Sequence, residues 1–224
     1  MQRPLHSVHV PGRLARALVA LGLVGPLFIA VFTWEGLIEP GYSMVTQDVS
    51  NLAIGPMAMI QTANFIAFGV VLCLFGLGLR RSFADRAARR GSLLVGAMGL
   101  GLFGLAAFKT DINYRHPTLH GVLHGVVFSA IMLCFIAACW HFARAFARDA
   151  RWRPLLRYTR ATGVAAPVMW AVLMAFGARG RGDTTELLSP WNGVCQRALI
   201  LVLCAWLMTV AVHHIRVFRT PRAV

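Results

Sequence analysis

Apolar residues in this chain neither alternate with polar ones at the period of a strand nor form a stripe along a wet helix. They come in long runs separated by short polar clusters. A helix needs about 20 predominantly apolar residues to cross the hydrocarbon core. Six stretches come near that length, over residues 17–37, 57–79, 91–108, 117–142, 161–178 and 195–215. The pattern predicts an all-α fold, a polytopic six-transmembrane-helix bundle, with the whole chain (1–224) as one domain. An outer-membrane barrel would show apolar–polar alternation over about ten residues per strand, and no segment does. The first run contains Pro26 and is followed by Trp34, Glu35 and Glu39 rather than a small-residue cleavage site. It therefore reads as a retained helix and not as a signal peptide.

Composition narrows the classes further. Of 224 residues, 58% are hydrophobic and 13% charged, against about 45–50% and about 25% in soluble domains. A water-soluble fold and a disordered chain are both excluded on these figures. The net charge of +14 invites a nucleic-acid reading, but the arginines fall into clusters (80–90 and 144–160) that flank membrane-length runs. A nucleic-acid module needs a continuous basic face, so no nucleic-acid partner is expected, and membrane lipids are. Arg3, Arg13 and Arg16, both clusters, and Arg216, Arg219 and Arg222 fall on one side of the six spans. The other side holds Lys109, Arg115, Arg179 and Arg181, with Arg197 just inside the last helix. The positive-inside rule then places both termini in the cytoplasm and the protein in the cell membrane as a multi-pass chain. Five cysteines, in or at the edges of apolar runs and without CxxC spacing, read as small hydrophobes rather than a disulfide or zinc framework.

The third run, GSLLVGAMGLGLFGLAAF, is rich in glycine at Gly96, Gly99, Gly101 and Gly104. Close approach at small residues supplies packing energy within lipid, so this helix is expected near the middle of the bundle. Trp34 and Trp191 fit an interfacial aromatic belt.

Candidate chemistry gathers on the side poor in arginine. Glu35, Glu39, Asp48, Asp111, Asp183 and Glu186 lie there, as do Ser50, Asn51, Asn64, His116, His120, His124, Asn192, Gln196 and Arg197. Ionisable groups at membrane depth are costly and mark a pathway or a site. The densest segment is DINYRHPTLHGVLH, residues 111–124. Pro117 suits the first turn of a helix, and His120 and His124 then stand one turn apart on one face. With Asp111 as a carboxylate, they form a candidate metal site. Zinc would accept such a set and keep a position open for water that attacks an ester or amide. The same pair could instead bond backbone carbonyls or carry protons. His141, His213 and His214, towards the cytoplasmic ends, are expected at the interface. Arg197 either pairs with Asp111 or Glu35 or, with Asn64, holds a lipid head group. Glu35, Ser50 and Asp111 are the candidate catalytic groups.

The runs PGYSMVTQDVSNLAIGPMAMIQTANF, GLRR, FKTDINY, HGVLH and GVCQR together resemble an uncharacterised six-helix membrane family of bacteria and archaea, catalogued as a domain of unknown function (DUF998 type). The likeness extends over most of the chain between Trp34 and Arg216. It implies a fold and a membrane location, and no substrate. That family carries Asp after the second histidine, where this chain has Gly125, which removes a carboxylate from the motif. At the level of chemistry alone, Ser50, Asp111, His120 and His124 are similar to the Ser, Asp and His set that holds zinc in membrane hydrolases of the alkaline ceramidase and adiponectin-receptor type. Those have seven helices, so this is analogy and not descent.

The readings left open are a metal-dependent lipid-modifying enzyme, a proton-coupled transporter, and a non-catalytic lipid-binding scaffold.

Overall fold

A computed structural model describes residues 10–111, 117–179 and 191–219. Asp183, Glu186, His116, Arg115 and Arg181 lie outside the described residues. The described chain is helical, with six helices long and apolar enough to cross a membrane; it is an all-α polytopic membrane protein.

The first span is built from α1 (Arg13–Ala20), a 3₁₀ turn (Leu21–Val24) and α2 (Gly25–Ile38). Proline at the start of α2 has no N–H to donate back, and its ring crowds the preceding turn. The tightened turn directly before Pro26 is the local response. The other spans are α3 (Ala58–Ser82), α4 (Arg86–Ala107), α5 (Leu119–Arg148), α6 (Leu156–Arg179) and α7 (Asn192–Arg219). They run further than the apolar stretches alone suggest, since polar caps and arginines extend the termini. Asp85 caps α4 by accepting from the amides of Ala87 (2.7 Å) and Ala88 (3.1 Å), the ordinary role of Asp at that position. Arg80 and Arg81 occupy the last turn of α3, where cations complement the helix dipole.

Each span packs on its chain neighbours, and α7 returns against α1 and α2, closing a ring. The glycines of α4 do what small residues are expected to do. A β-carbon on Gly99 would lie 2.5 Å from the Gly69 carbonyl oxygen, and one on Gly76 of α3 would lie 2.7 Å from that of Ser92. The α3 and α4 backbones are therefore in contact, with α4 held between α3 and α5. Aromatic side chains fill much of the interior: Phe28 stacks on Phe68 (4.4 Å), and Phe135 meets Trp206 edge-on (5.7 Å). Outward-facing Leu27, Leu100, Val126, Leu133 and Val168 are more than half exposed, which is the surface a bilayer covers.

The two ends differ. At one, Arg16 donates to the carbonyl of Phe218 (3.4 Å), joining the first span to the last. Arg148 and Arg151 pair with Asp85 and Asp149, and Phe146 stacks on a buried Trp152 (4.9 Å). At the other, residues 40–57 fold back into the mouth of the ring as a plug. Its 3₁₀ helix, Val49–Ile54, buries Val49, Ser50, Leu52 and Ala53.

Candidate functional site

The plug is gripped mainly by the first turns of α7. Gln196 Oε1 accepts from the Val49 amide (2.6 Å), and Asn192 Nδ2 donates to Asp48 Oδ1 (2.8 Å). The Val194 amide donates to the Val45 carbonyl (3.2 Å). Arg197 Nη1 donates to the carbonyls of Met44 (2.8 Å), Gln47 (3.0 Å) and Gly193 (3.1 Å), while Nη2 donates to the Tyr42 hydroxyl. Tyr42 in turn donates to the Asp48 carbonyl (2.9 Å). Burial pushes the Tyr42 phenol above its ordinary value, against the opposing pull of Arg197. The plug backbone comes so close to α7 that a β-carbon on Gly193 would lie 2.4 Å from the Gln47 carbonyl oxygen. Glycine is required there for space. The chain enters the plug through Gly41, the one positive-φ residue among those described (φ 74°).

Arg197 thus spends its bonds on plug carbonyls and Tyr42 rather than on Asp111 or Glu35, the ion-pair partners that were one of the two sequence readings. The reason is the plug: it brings backbone carbonyls within reach of the guanidinium, and a helix-by-helix reading contains no such loop. Nε of Arg197 is buried and unbonded.

Asp111 is committed elsewhere. Its carboxylate accepts from the amide (2.9 Å) and hydroxyl (2.7 Å) of Thr118, and Thr118 caps α5 by accepting from the Gly121 amide (3.1 Å). A carboxylate over a helix N-terminus is electrostatically favourable, and it needs Gly121 beneath it, where a β-carbon would fall 1.8 Å from Oδ2. His120 is exposed and lies edge-on to the Phe108 ring (6.0 Å). His124, one turn on, is buried, 6% exposed. The expected zinc set of Asp111, His120 and His124 is not gathered: among the described residues no three His, Cys, Asp or Glu side chains stand together as metal ligands. The physical reason is that Asp111 serves the helix cap and both nitrogens of His124 are already bonded.

Those two bonds join α5 to the end of α4 and to the plug. His124 Nδ1 lies 2.7 Å from the carbonyl oxygen of Phe108, and Nε2 lies 3.0 Å from Ser50 Oγ. A carbonyl only accepts, so Nδ1 carries the proton of the neutral ring; Nε2 is then bare and the Ser50 hydroxyl donates to it. A hydroxyl bonded to a bare imidazole nitrogen, with the other nitrogen held by a fixed acceptor, is the arrangement that hydroxyl activation requires. Ser50, with Gln196, is also one of the few polar groups on the wall of a cavity of about 60 Å³, otherwise lined by apolar side chains such as Phe28, Leu102, Phe128 and Leu199.

Glu35 and Asn64 sit nearer α3. Asn64 is buried and donates to the Phe28 carbonyl (3.1 Å) and Gln61 Oε1 (3.2 Å), which ties α3 to α2. Glu35 is fully buried with neither carboxyl oxygen bonded. Its electrostatic neighbours are the Gln61 amide and Glu39. Glu39 accepts from the Met57 amide (3.3 Å) at the start of α3.

Two members of this end had no signal in the sequence. Tyr42 stands in an ordinary PGYS turn, and the Phe108 carbonyl is a group every residue carries. Gln196 was visible only as one of many polar positions.

No curated protein and no solved structure shows a significant match to the chain. The profile described as "Protein of unknown function (DUF998)" matches residues 22–213, nearly the whole ring. The chain is a member of that membrane family.

Proposed function

We propose that the protein is a membrane-embedded hydrolase or acyltransferase acting on an ester of an amphiphile, with Ser50 as nucleophile and His124 as base. The carrying observation is the bond from the Ser50 hydroxyl to His124 Nε2 in a ring whose Nδ1–H is fixed by Phe108, beside an apolar cavity. As the acyl carbonyl is attacked, Ser50 Oγ forms the new C–O bond and its proton passes to Nε2. The imidazolium returns that proton to the leaving alkoxide, giving an acyl-serine and a free alcohol. Water or a second alcohol, deprotonated by the same nitrogen, then releases the acyl group. The arginine bias favours placing the plugged end outside the cell membrane, so the substrate is an outer-leaflet lipid.

The test is labelling of purified protein in nanodiscs with an alkyl fluorophosphonate. A single adduct on Ser50, lost in Ser50→Ala and suppressed in His124→Ala, supports the reading. Folded wild-type protein that takes no adduct ends it. A second reading, proton-coupled transport, is supported by Glu35, a carboxyl fully buried inside the first span, where an ionisable group marks a pathway or a site. Proton uptake into proteoliposomes that disappears in Glu35→Gln would support that reading in place of the first.

A further inference from the structure

The first and last spans touch closely only over part of their length. A β-carbon on Gly22 would lie 2.9 Å from that of Ala211, and one on Gly25 would lie 3.2 Å from that of Cys204. Alongside these contacts, towards the plugged end, the outer faces of the two helices border open space. Between them lies a groove of about 650 Å³ lined by Ile29, Ala30, Thr33 and Leu37 of α2 and by Leu201 and Ala205 of α7, among others. Those α2 positions share one helical face, and so do those of α7. Almost every lining atom is apolar; Trp34, 53% exposed, stands at its upper end.

Length identifies the occupant. At about 1.5 Å per residue, the α2 stretch from Pro26 to Leu37 rises about 16 Å. The hydrocarbon core is about 30 Å thick, so the α2 wall of the groove is about as long as one leaflet is deep. An indole at its upper end sits where the acyl region gives way to head groups. Position is equally telling. Groove and cavity share two of their walls: Ile29 and Ala30 of α2 line the groove while Phe28 lines the cavity, and Leu201, Cys204 and Ala205 of α7 line the groove while Leu199, Ile200 and Leu203 line the cavity, whose other walls come from the plug, α3, α4 and α5. Phe28 and Leu203, on the wall of the chamber that Ser50 borders, stand beside groove-lining residues in sequence, so groove and chamber approach each other across the α2–α7 seam.

We infer that the seam between α2 and α7 is an acyl-chain site, which holds one chain of a lipid in the leaflet at the plugged end and makes long-chain lipid esters the substrate class. The acyl site stands on the groove itself; its link to substrate choice rests on the Ser50 reading above.

Two measurements on the same samples separate these parts. In the first, nanodiscs of phosphatidylethanolamine and phosphatidylglycerol carry a trace of phosphatidylcholine with a diazirine on its acyl chain, and cross-links are mapped after irradiation. Peptides containing residues 29–37 and 201–208 should be enriched several-fold over other lipid-facing peptides. Ala30→Trp and Ala205→Trp, which fill the groove from its membrane side, should abolish that enrichment. Ala67→Trp, on an exposed position of α3, should leave it intact. Label spread evenly around the ring, or unaffected by both groove variants, overturns the acyl site. In the second, ester hydrolysis is followed with a long-chain and an acetyl nitrophenyl ester. Ala30→Trp should lower kcat/KM for the long-chain ester about tenfold and leave the acetyl ester unchanged; equal effects on both overturn the substrate class. Groove cross-links without any Ser50 adduct or hydrolysis retire the serine reading alone. Ser50 activity with evenly spread cross-links retires the groove alone.

Discussion

His124 and His214 are buried alike, 6% and 0% exposed, at opposite ends of the ring, and their surroundings have nothing else in common. His124 has a partner on each nitrogen, and the partners fix which one holds the proton. His214 has none; its ring packs between Phe218 (4.8 Å) and Trp152 (6.1 Å), as an aromatic core residue would. Burial alone does not mark an imidazole as a base. A base needs a bare nitrogen aimed at a proton and a second group that keeps it bare, and of these two histidines it is His124 that has both. His213, beside His214 in sequence, illustrates the middle case: one nitrogen bonded, 2.8 Å from the Arg151 carbonyl oxygen, and no nucleophile.

The largest effect expected from this contrast is on reactivity. Replacing His124 with Ala should slow phosphonylation of Ser50 by an alkyl fluorophosphonate, in which Oγ displaces fluoride from phosphorus, by about a thousandfold or more, equivalent to about 4 kcal/mol in the barrier. His214→Leu should leave the rate within about twofold. Equal losses in the two variants, measured by gel fluorescence against time, would mean that His124 is a packing residue as well.

Stability should divide the two bonds of His124. In His124→Ala, the Phe108 carbonyl and the Ser50 hydroxyl both lose a buried partner, at a cost of about 2–4 kcal/mol. Asn places its amide N–H near the position of Nδ1, so His124→Asn should keep the Phe108 bond and recover about 1 kcal/mol of that loss while remaining unreactive. Thermal unfolding in detergent reads the first difference and fluorophosphonate labelling the second. An Asn variant as unstable as Ala would show that the carbonyl bond contributes little.

For His214 the sign reverses. An imidazole buried with two unbonded nitrogens carries a desolvation cost of about 1–3 kcal/mol. His214→Leu removes that cost and keeps the apolar contact, so Tm should rise, by an amount equivalent to about 1 kcal/mol. A fall in Tm would indicate that the aromatic contacts with Trp152 and Phe218 outweigh the unbonded nitrogens.

What the sequence could show of this contrast follows from what periodicity and hydropathy measure. Six spans were legible because 20-residue apolar runs have no other home, and the glycines of α4 announced close packing that Gly99 and Gly69 confirm. Residues Val49 to Ile54 were not legible as buried structure: six mixed residues between turns carry no period, and their burial depends on α7 gripping them. Everything specific about the site descends from that fold-back. Ser50 and His124 were both visible as candidates, 74 positions apart, but nothing in the sequence joins them. Arg197 was read as either half of a side-chain ion pair or a lipid head-group ligand, because carbonyl partners leave no trace in the sequence. His214 was expected at the interface by its place near the end of a span; the aromatic cluster at Trp152 continues the interior past it.

The smallest effect lies at the end that holds His214, and it concerns charge. Arg151, whose carbonyl holds His213, bonds Asp149 through its side chain at 2.7 Å. That bond pulls the Asp149 carboxyl below its ordinary value of 3.8. A carboxyl depressed on folding adds stability above its unfolded value, and the contribution is lost as pH falls through the lower folded value. Both side chains are about a third exposed, so solvent screening holds the gain to well under 1 kcal/mol. Wild type and Asp149→Asn should therefore differ slightly in Tm at neutral pH, with the gap beginning to close as pH drops below 3.8 and vanishing once it passes the lower folded value, and added salt should narrow the gap. A difference that survives acid would mean that Asp149 acts as a neutral hydrogen-bond acceptor for the Arg151 amide (3.0 Å). The loop between α5 and α6 would then be held by geometry rather than by charge.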